Sequence, residues 1–320
     1  MSVVKSNPII IWRLLDGKPG HENQSLGLVN SIKRKVSCES YDISVKGKLE
    51  PLINYVSAMW PFGRELPYPD LIVGAGHGTH MHMLAAKKAY GGSSIVLMQP
   101  SFPVSWFDLC LIPEHDAYQG RGRHIETRGV LNALNSDGEH HTDKALIMIG
   151  GHSRHYEWET DNLIAQIYQL LDHNPTINFT LTTSRRTPIE FLTNFSNQKF
   201  DNLEIVPFDK TPPDWIKQQL AESSIAWITE DSVSMIYESL TARVAVGILN
   251  VPINHESRVT RGIEKLIHNK YVVRFDNDAQ YKNDLHPIAG FMEADRCADQ
   301  ILKALINNPS VISQPTFAKI

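Results

Sequence analysis

The chain has 320 residues, 42% of them hydrophobic and 21% charged. That balance excludes a collagen, a coiled coil and a disordered tail, and at ~150 residues per domain it makes about two globular domains. Thirty-one Lys and Arg against 35 Asp and Glu leave a formal charge of −4, so no general basic field draws the chain to nucleic acid.

Three cysteines without a CxxC pair, Cys38, Cys110 and Cys297, make neither a disulfide framework nor a structural zinc site, and fit a reducing compartment. Residues 1–16 carry one early cation, Lys5, and the apolar run 9–12 is too short for a signal-peptide core. Residues 90–107 lack charges but hold Gln99, Pro100 and Pro103, which do not suit a spanning helix. The expectation is a cytoplasmic protein, with peripheral contact to the inner membrane face left open.

Short apolar runs alternate with helical patterns. In the first half 9–15, 41–45, 71–73, 95–98 and 109–112 read as strands. Leu26, Val29, Ile32 and Val36 recur at helical spacing after the first of them. In the second half 145–149, 177–182, 203–206, 225–228, 244–249 and 271–275 read as strands, with helices over 158–171 and 188–195. The alternation predicts an α/β protein of two doubly wound, Rossmann-like domains facing a cleft, each a parallel sheet covered by helices. The stretch 135–143 (NSDGEHHTD) has no apolar residue and marks the boundary. It separates an N-terminal domain, 1–138, from a C-terminal domain, 139–289, and a last helix within 290–320 packs back on the first.

Ligands of doubly wound sheets bind at the carboxyl ends of strands, near helix N-termini. Segment 16–24 (DGKPGHENQ) sets Asp16, Lys18, His21, Asn23 and Gln24 around Gly17 and Gly20. It reads as a ligand-contacting loop, against the plainer alternative of a turn and helix cap. Segment 74–82 (GAGHGTHMH) is GxGxG rather than GxGxxG, and Met98 stands where a dinucleotide fold would carry an acid, so NAD is not expected. His80 and His82 lie ~200° apart on a helix and do not converge on a metal. His77 is placed to reach a ligand.

Segment 150–155 (GGHSRH) follows a buried strand and precedes a helix expected from Tyr156. The amides of Gly150 and Gly151 would donate to a diphosphate, and Ser153 and Arg154 would add side-chain contacts. In 182–188 (TTSRRTP), Thr187, Pro188 and Glu190 form a capping box, leaving Thr183, Ser184, Arg185 and Arg186 in the loop before it. In 225–238 (IAWITEDSVSMIYE), Glu230 follows the strand and Asp231 or Ser232 caps a helix. Asp231, Ser234, Met235 and Glu238 share one helical face; Val233, Ile236, Tyr237 and Leu240 share the other. Hydroxyls at a helix N-terminus suit phosphates, and a carboxylate one turn later suits vicinal ribose hydroxyls.

Two further features carry less. Segment 276–278 (DND) has the DxD form of a metal motif, but such a match is expected by chance and sits in a late polar turn. Trp60 and Phe62, with Arg64, Lys46 and Lys48 nearby, read either as a buried loop or as a contact for a lipid headgroup layer.

Taken together, DGKPGHENQSLGL (16–28), VGAGHGTH (73–80), IGGHSRHYEW (149–158), TTSRRTP (182–188) and TEDSVSMIYE (229–238) resemble the bacterial proteins related to the plant mitochondrial-fission "elongated mitochondria" family. That family is similar to GT-B glycosyltransferases, with an acceptor-side domain first and a nucleotide-sugar-side domain second. The resemblance implies metal-independent sugar transfer from a UDP-like donor, with no cofactor, to an acceptor it does not name, a lipid-linked one among the options.

By position, the resemblance implies Glu238 on the ribose, Ser232, Ser234 and Met235 along the diphosphate, and Gly151, Ser153 and Arg154 opposite. Arg185 would meet a phosphate or the base, and Gly150, Thr183, Ser184, Glu230 and Asp231 complete the donor set. His21 is the expected general base, oriented or replaced by Asp16, with His77 second. Arg154 and the helix N-terminus at Ser232 would stabilise the departing diphosphate. Two other readings stay open. One is a non-catalytic adaptor for a protein partner or membrane, like the plant relatives, which resemble recruiters of a dynamin-type protein. The other is a nucleotide-sugar epimerase of GT-B type, which needs a base but no acceptor.

Overall fold

The structure, a computed structural model, describes residues 8–47, 50–195 and 200–307. Lys5, Lys48 and the part of the expected last helix beyond 307 lie outside the described residues. The chain divides into two compact units between Ala133 and Leu134, and the segment from Glu293 returns to the first.

Unit 1 runs β1 (Ile9–Leu15), α1 (Pro19–Lys35), β2 (Cys38–Ser44), α2 (Glu50–Ser57), β3 (Leu71–Ala75), α3 (His77–Tyr90), β4 (Ser93–Leu97), β5 (Leu109–Pro113) and β6 (His124–Thr127). Its strands form one parallel sheet in the order β2-β1-β3-β4-β5-β6. β3 and β4 are buried along their whole length, as a parallel sheet covered on both faces requires. Strand alternation sorts β1 between two cores. Ile11 packs with Leu28 and Ile32 of α1, and Trp12 with Trp60, Met83 and Val96 on the other face.

The inner stripe of α1 differs from the expected one. Leu26 is exposed, and Leu28, Val29 and Ile32 are buried beside Gly27. The backbone of Asn132 lies so close to Gly27 that any Cβ would overlap its carbonyl, and this contact fixes which side faces in. The sequence reading also lacks β6, whose residues HIET hold one large apolar side chain and pair with β5 at the sheet edge.

Trp60 is 1% exposed. It stacks on Trp12 at 5.5 Å, points Nε1 at His82 Nδ1 at 3.4 Å, and packs against the half-buried Phe62. Trp60 therefore presents nothing to a headgroup layer; the exposed apolar side chains lie one helix earlier, on α2. Among the described residues no helix is long and apolar enough to cross a membrane.

Unit 2 runs β7 (His141–Met148), α4 (Thr160–His173), β8 (Asn178–Thr182), α5 (Ile189–Phe195), β9 (Leu203–Val206), α6 (Trp215–Glu222), β10 (Ser223–Thr229), α7 (Val233–Thr241), β11 (Ala245–Leu249), α8 (Arg258–His268) and β12 (Val273–Arg274). The parallel sheet has the order β12-β11-β10-β7-β8-β9, with Ile147, Ile167, Phe191 and Trp227 in its core. The helix expected from Tyr156 begins at Thr160 instead. Tyr156 forms an antiparallel bridge with Ile253, flanked by the Glu157 amide on the Pro252 carbonyl at 2.8 Å and the Asn254 amide on the His155 carbonyl at 2.9 Å. The last helix, α9 (Glu293–Asn307), packs Ala298 and Ile301 beside Leu28 and Ile32 of unit 1. Ion pairs Arg34–Asp295 (2.6 Å) and Arg128–Glu293 (2.8 Å) fasten it there.

Each sheet has one point where the chain reverses its direction of winding: between β1 and β3, and between β7 and β10. Loops leaving two such strands diverge and open a crevice at their carboxyl ends. The polar segments 16–24 and 76–78 flank the first reversal, and 149–155 and 229–232 the second.

Candidate functional site

At the reversal in unit 1, Asp16 and His21 form a pair. Asp16 is 6% exposed at its side chain; Oδ1 accepts the Lys18 amide at 3.2 Å and Oδ2 lies 2.8 Å from His21 Nδ1. His21 belongs to the first turn of α1, which starts at Pro19 with Lys18 as N-cap, so the expected loop is largely a helix start. Arg13, itself buried, donates to the Glu22 carbonyl at 3.0 Å and to Asp42 at 2.7 Å, tying this turn to β1 and β2. The glycines after β3 close the arrangement. Gly76 has φ +78°, and a Cβ on it would overlap the His21 ring; a Cβ on Gly78 would meet Asp16 at 3.0 Å. An ionised carboxylate can only accept, so in the neutral ring the proton sits on Nδ1, facing Asp16, and the lone pair is on Nε2.

His77, the first residue of α3, is exposed. It lines a pocket of about 580 Å³ with Asp16, Lys18, Lys46 and Ser101. His80 is 1% exposed and bonds Ser101 Oγ at 3.2 Å; burial pushes its pKa down to about 4, with His77 and His21 adding to the shift. His82 places Nε2 on the Lys46 carbonyl at 3.2 Å, and burial lowers its pKa too. The two rings serve different partners. Asn23 accepts the Ala133 amide at 3.3 Å and Gln24 reaches Met98 Sδ at 3.5 Å, so both brace the scaffold.

At the reversal in unit 2 the expected diphosphate cradle is already engaged. The Gly150 amide donates to Thr229 Oγ1 at 2.7 Å and the Gly151 amide to Asp231 Oδ2 at 3.0 Å. Neither is left for an anion, which corrects their expected role. Both residues are glycine for lack of room: a Cβ on Gly150 would overlap Ser232 and Asp231, and one on Gly151 the Arg186 backbone. Thr187 does not cap α5 as expected. Its hydroxyl crosses to the carbonyl of Gly150 and accepts the Ser184 amide at 2.8 Å, while Ser184 Oγ donates to the same carbonyl at 2.8 Å. A capping box does form at α8, between Ser257 and Thr260.

The cation of this cluster is Arg186, which sequence reading left beside Arg185 without a role. Its Nη1 donates to the carbonyls of Gly151 (3.1 Å) and His152 (2.8 Å), and its Nη2 to Asp231 Oδ2 (2.8 Å) and Ser232 Oγ (3.3 Å). Arg185 is exposed and stands 5.8 Å over the Phe208 ring. Asp231 precedes α7 rather than riding on its outer face, and its side chain is fully buried. Glu230 is 2% exposed and pairs with Arg274 Nη2 at 2.5 Å; burial raises its pKa against the pull of that arginine. Thr183 Oγ1 accepts the Phe208 amide at 3.1 Å. Gly150, Gly151, Thr183, Ser184, Glu230 and Asp231 thus build the scaffold.

Apart from Asp231, and from Val233, which is half-buried rather than core, the faces of α7 match their expectation. Ser232 is the N-cap and its hydroxyl does not cap the helix. Ser234 is exposed, Met235 and Glu238 are half-buried, and Ile236, Tyr237 and Leu240 face the core. Ser153 is half-buried, with Oγ accepting the His155 amide at 3.2 Å, and Arg154 is exposed.

Two parallel six-stranded sheets with polar loops at their reversals define the class: this is a GT-B fold. A candidate UDP-N-acetylglucosamine 2-epimerase from Listeria monocytogenes superposes with a TM-score of 0.61 at 12% identity, over 98% of this chain and all of that one (100%). The UDP-GlcNAc 2-epimerase of Methanocaldococcus jannaschii gives 0.57 at 10% identity, over 92% and 100%. The family is more specific. The chain belongs to the Mitochondrial fission ELM1 family, whose model matches residues 19–305. Uncharacterized protein RP120 of Rickettsia prowazekii (strain Madrid E) is 23% identical over 360 residues, covering 94% of this chain and 99% of that protein.

Proposed function

We propose that the chain transfers a sugar from a UDP-like nucleotide-sugar, held at α7 of unit 2, to an acceptor hydroxyl deprotonated in unit 1. The observation that carries this reading is the Asp16–His21 pair, with Nδ1 2.8 Å from the carboxylate at a sheet reversal. His21 Nε2 takes the hydroxyl proton as the acceptor oxygen attacks the anomeric carbon. The bond from that carbon to the diphosphate breaks, and its electron pair leaves with the phosphate oxygen. The first-turn amides of α7, with the exposed Ser234, meet the negative charge, and Arg154 adds a guanidinium. Glu238, one turn along the same face, accepts from the ribose hydroxyls. This reading assigns the diphosphate charge to the chain itself and calls for no metal.

Calorimetry with UDP, GDP, ADP and CMP tests the donor side. UDP is expected to bind, and Glu238→Ala to weaken it about tenfold, the value of one lost charge-assisted hydrogen bond. Binding of none of the four nucleotides removes the donor site, and unchanged affinity removes Glu238 from it. The likeness to two proteins named as UDP-GlcNAc 2-epimerases favours one second reading, in which the same base inverts a sugar carbon without any acceptor. Product analysis with a UDP-sugar alone separates the two.

A further inference from the structure

Most of the exposed apolar side chains of unit 1 lie on α2 or just after it. α2 and the residues after it turn Ile53, Val56 and Met59 outward at 66%, 72% and 67% exposure, with Leu52 beside them. A surface helix ordinarily carries polar residues there. From a separate part of the chain, Phe102 stacks on Trp106 at 5.4 Å, and Trp106 is 51% exposed. Pro51 of α2 and Phe102 both line the 580 Å³ pocket that holds Asp16 and His77. Each of these two separate elements therefore contributes an apolar residue to one pocket, whose lining also holds Lys18, Lys46 and Ser101.

Cations lie on or beside α2 and the pocket. Lys46 stands on the pocket rim, Lys88 lies 4.6 Å from the ring of Tyr55 on α2, and Arg64 is exposed; Glu50 and Glu65 are the acids on these segments. Apolar side chains flanked by lysine and an exposed tryptophan suit the boundary between headgroups and acyl chains, where lysine stems lie along the apolar region and their ammonium groups meet anionic headgroups. Contiguous apolar surface of this kind on a soluble chain marks an interaction site.

We propose that α2 and Trp106 seat unit 1 on a bilayer containing anionic lipid, and that the pocket between them takes the polar head of an amphiphile from that bilayer. The head lies beside Asp16, His77 and Ser101, and the chain runs out along Pro51 and Phe102. The acceptor is then lipid-borne. This deepens the acceptor side of the transfer reading and rests on it, but the surface is measured without donor or turnover.

Flotation of the full chain with phosphatidylcholine vesicles, with and without phosphatidylglycerol, tests the surface. The chain is expected to float with the anionic vesicles and less with the neutral ones. Ile53→Ser/Val56→Ser, and separately Trp106→Ser, should lower the bound fraction about tenfold or more. Ile53 and Val56 are mostly exposed, so the double variant should keep its melting temperature and UDP affinity; Trp106→Ser loses the Phe102 stack and should lower the melting temperature slightly without changing UDP affinity. If the double variant fails to fold, brominated lipid still reads insertion in the unaltered chain: it quenches emission, and Trp106→Phe removes the quenched component. Vesicle binding should also slow diethylpyrocarbonate modification of His77. No flotation, equal flotation of all variants, or a wild-type dimer that the double variant splits would overturn the proposal, the last by making the surface a protein interface. Unchanged His77 reactivity in the vesicle-bound chain overturns the pocket. Lost UDP binding in the unaltered chain strikes the donor reading alone.

Discussion

Arg186 donates from Nη2 to Asp231 Oδ2 at 2.8 Å and from Nη1 to the carbonyls of Gly151 and His152. One planar fork thereby joins the loops that follow β7, β8 and β10. Asp231 is fully buried at its side chain, and Arg186 is the cation paired with it. Arg186→Met should cost about 2 kcal/mol, less than a fully buried pair because Arg186 is half exposed. Arg186→Lys should cost nearly as much, since a point charge cannot reach both carbonyls and the carboxylate. Urea unfolding measures both; full recovery by lysine would show that charge alone matters. Arg154→Ala, at an exposed position, should stay within about 0.5 kcal/mol.

The proposed base in unit 1 depends on a residue with no side chain. Gly76 has φ +78°, and the His21 ring occupies the space where its Cβ would be. Gly76→Ala should destabilise by about 1–3 kcal/mol through backbone strain and overpacking together. It should also displace His21 from Asp16 and abolish turnover of a UDP-sugar, while UDP affinity in unit 2 holds. Histidine NMR signals and calorimetry on the same sample check this. Retained turnover would take His21 out of the base role.

What the sequence makes legible here is local. The bounds of β1 and β9 follow from apolar runs between polar breaks, and the two faces of α7 from helical spacing. Contacts across tens of residues leave no such trace. Asp231 reaches back to the Gly151 amide across 80 positions, Thr229 to Gly150 across 79, and Asn132 decides the inner side of α1 from over a hundred residues away. Glycine pairs after strands therefore look alike whether their amides await an anion or are already bonded. The choice between Arg185 and Arg186 had no local signal, because both precede the same threonine and only packing selects one. The Asp16–His21 pair, five residues apart at a helix start, was within reach of spacing; the room Gly76 makes for it was not.

The cysteines should separate by burial. Cys110 and Cys297 are fully buried, and burial pushes both thiols up to about 12. Cys38 is half-buried at the start of β2, and its pKa is also raised, against the pull of Lys33. A thiol reagent near neutral pH should therefore label Cys38 slowly in the native chain and leave the other two unmodified, since only the thiolate reacts. In urea all three should react together. Fast native labelling of Cys297 would mean that α9 leaves unit 1 on the time scale of the assay.

His80 should set the acid limb of stability. Its ring is 1% exposed between Phe102 and Phe107, and its pKa falls from 6.5 to about 4. Between those values the unfolded chain binds a proton at His80 that the folded chain does not, so acid favours unfolding. The stability due to His80 is whole above pH 6.5 and is lost as pH falls toward 4, by roughly 3 kcal/mol in all. His82, lowered in the same direction, adds to the slope. His80→Gln keeps a polar group for Ser101 but does not titrate. It should be less stable at neutral pH and lose less on acidification. Urea midpoints from about pH 8 to about pH 4.5 read both slopes, and parallel slopes in the two proteins would show that His80 takes up its proton inside the fold as readily as in the unfolded chain.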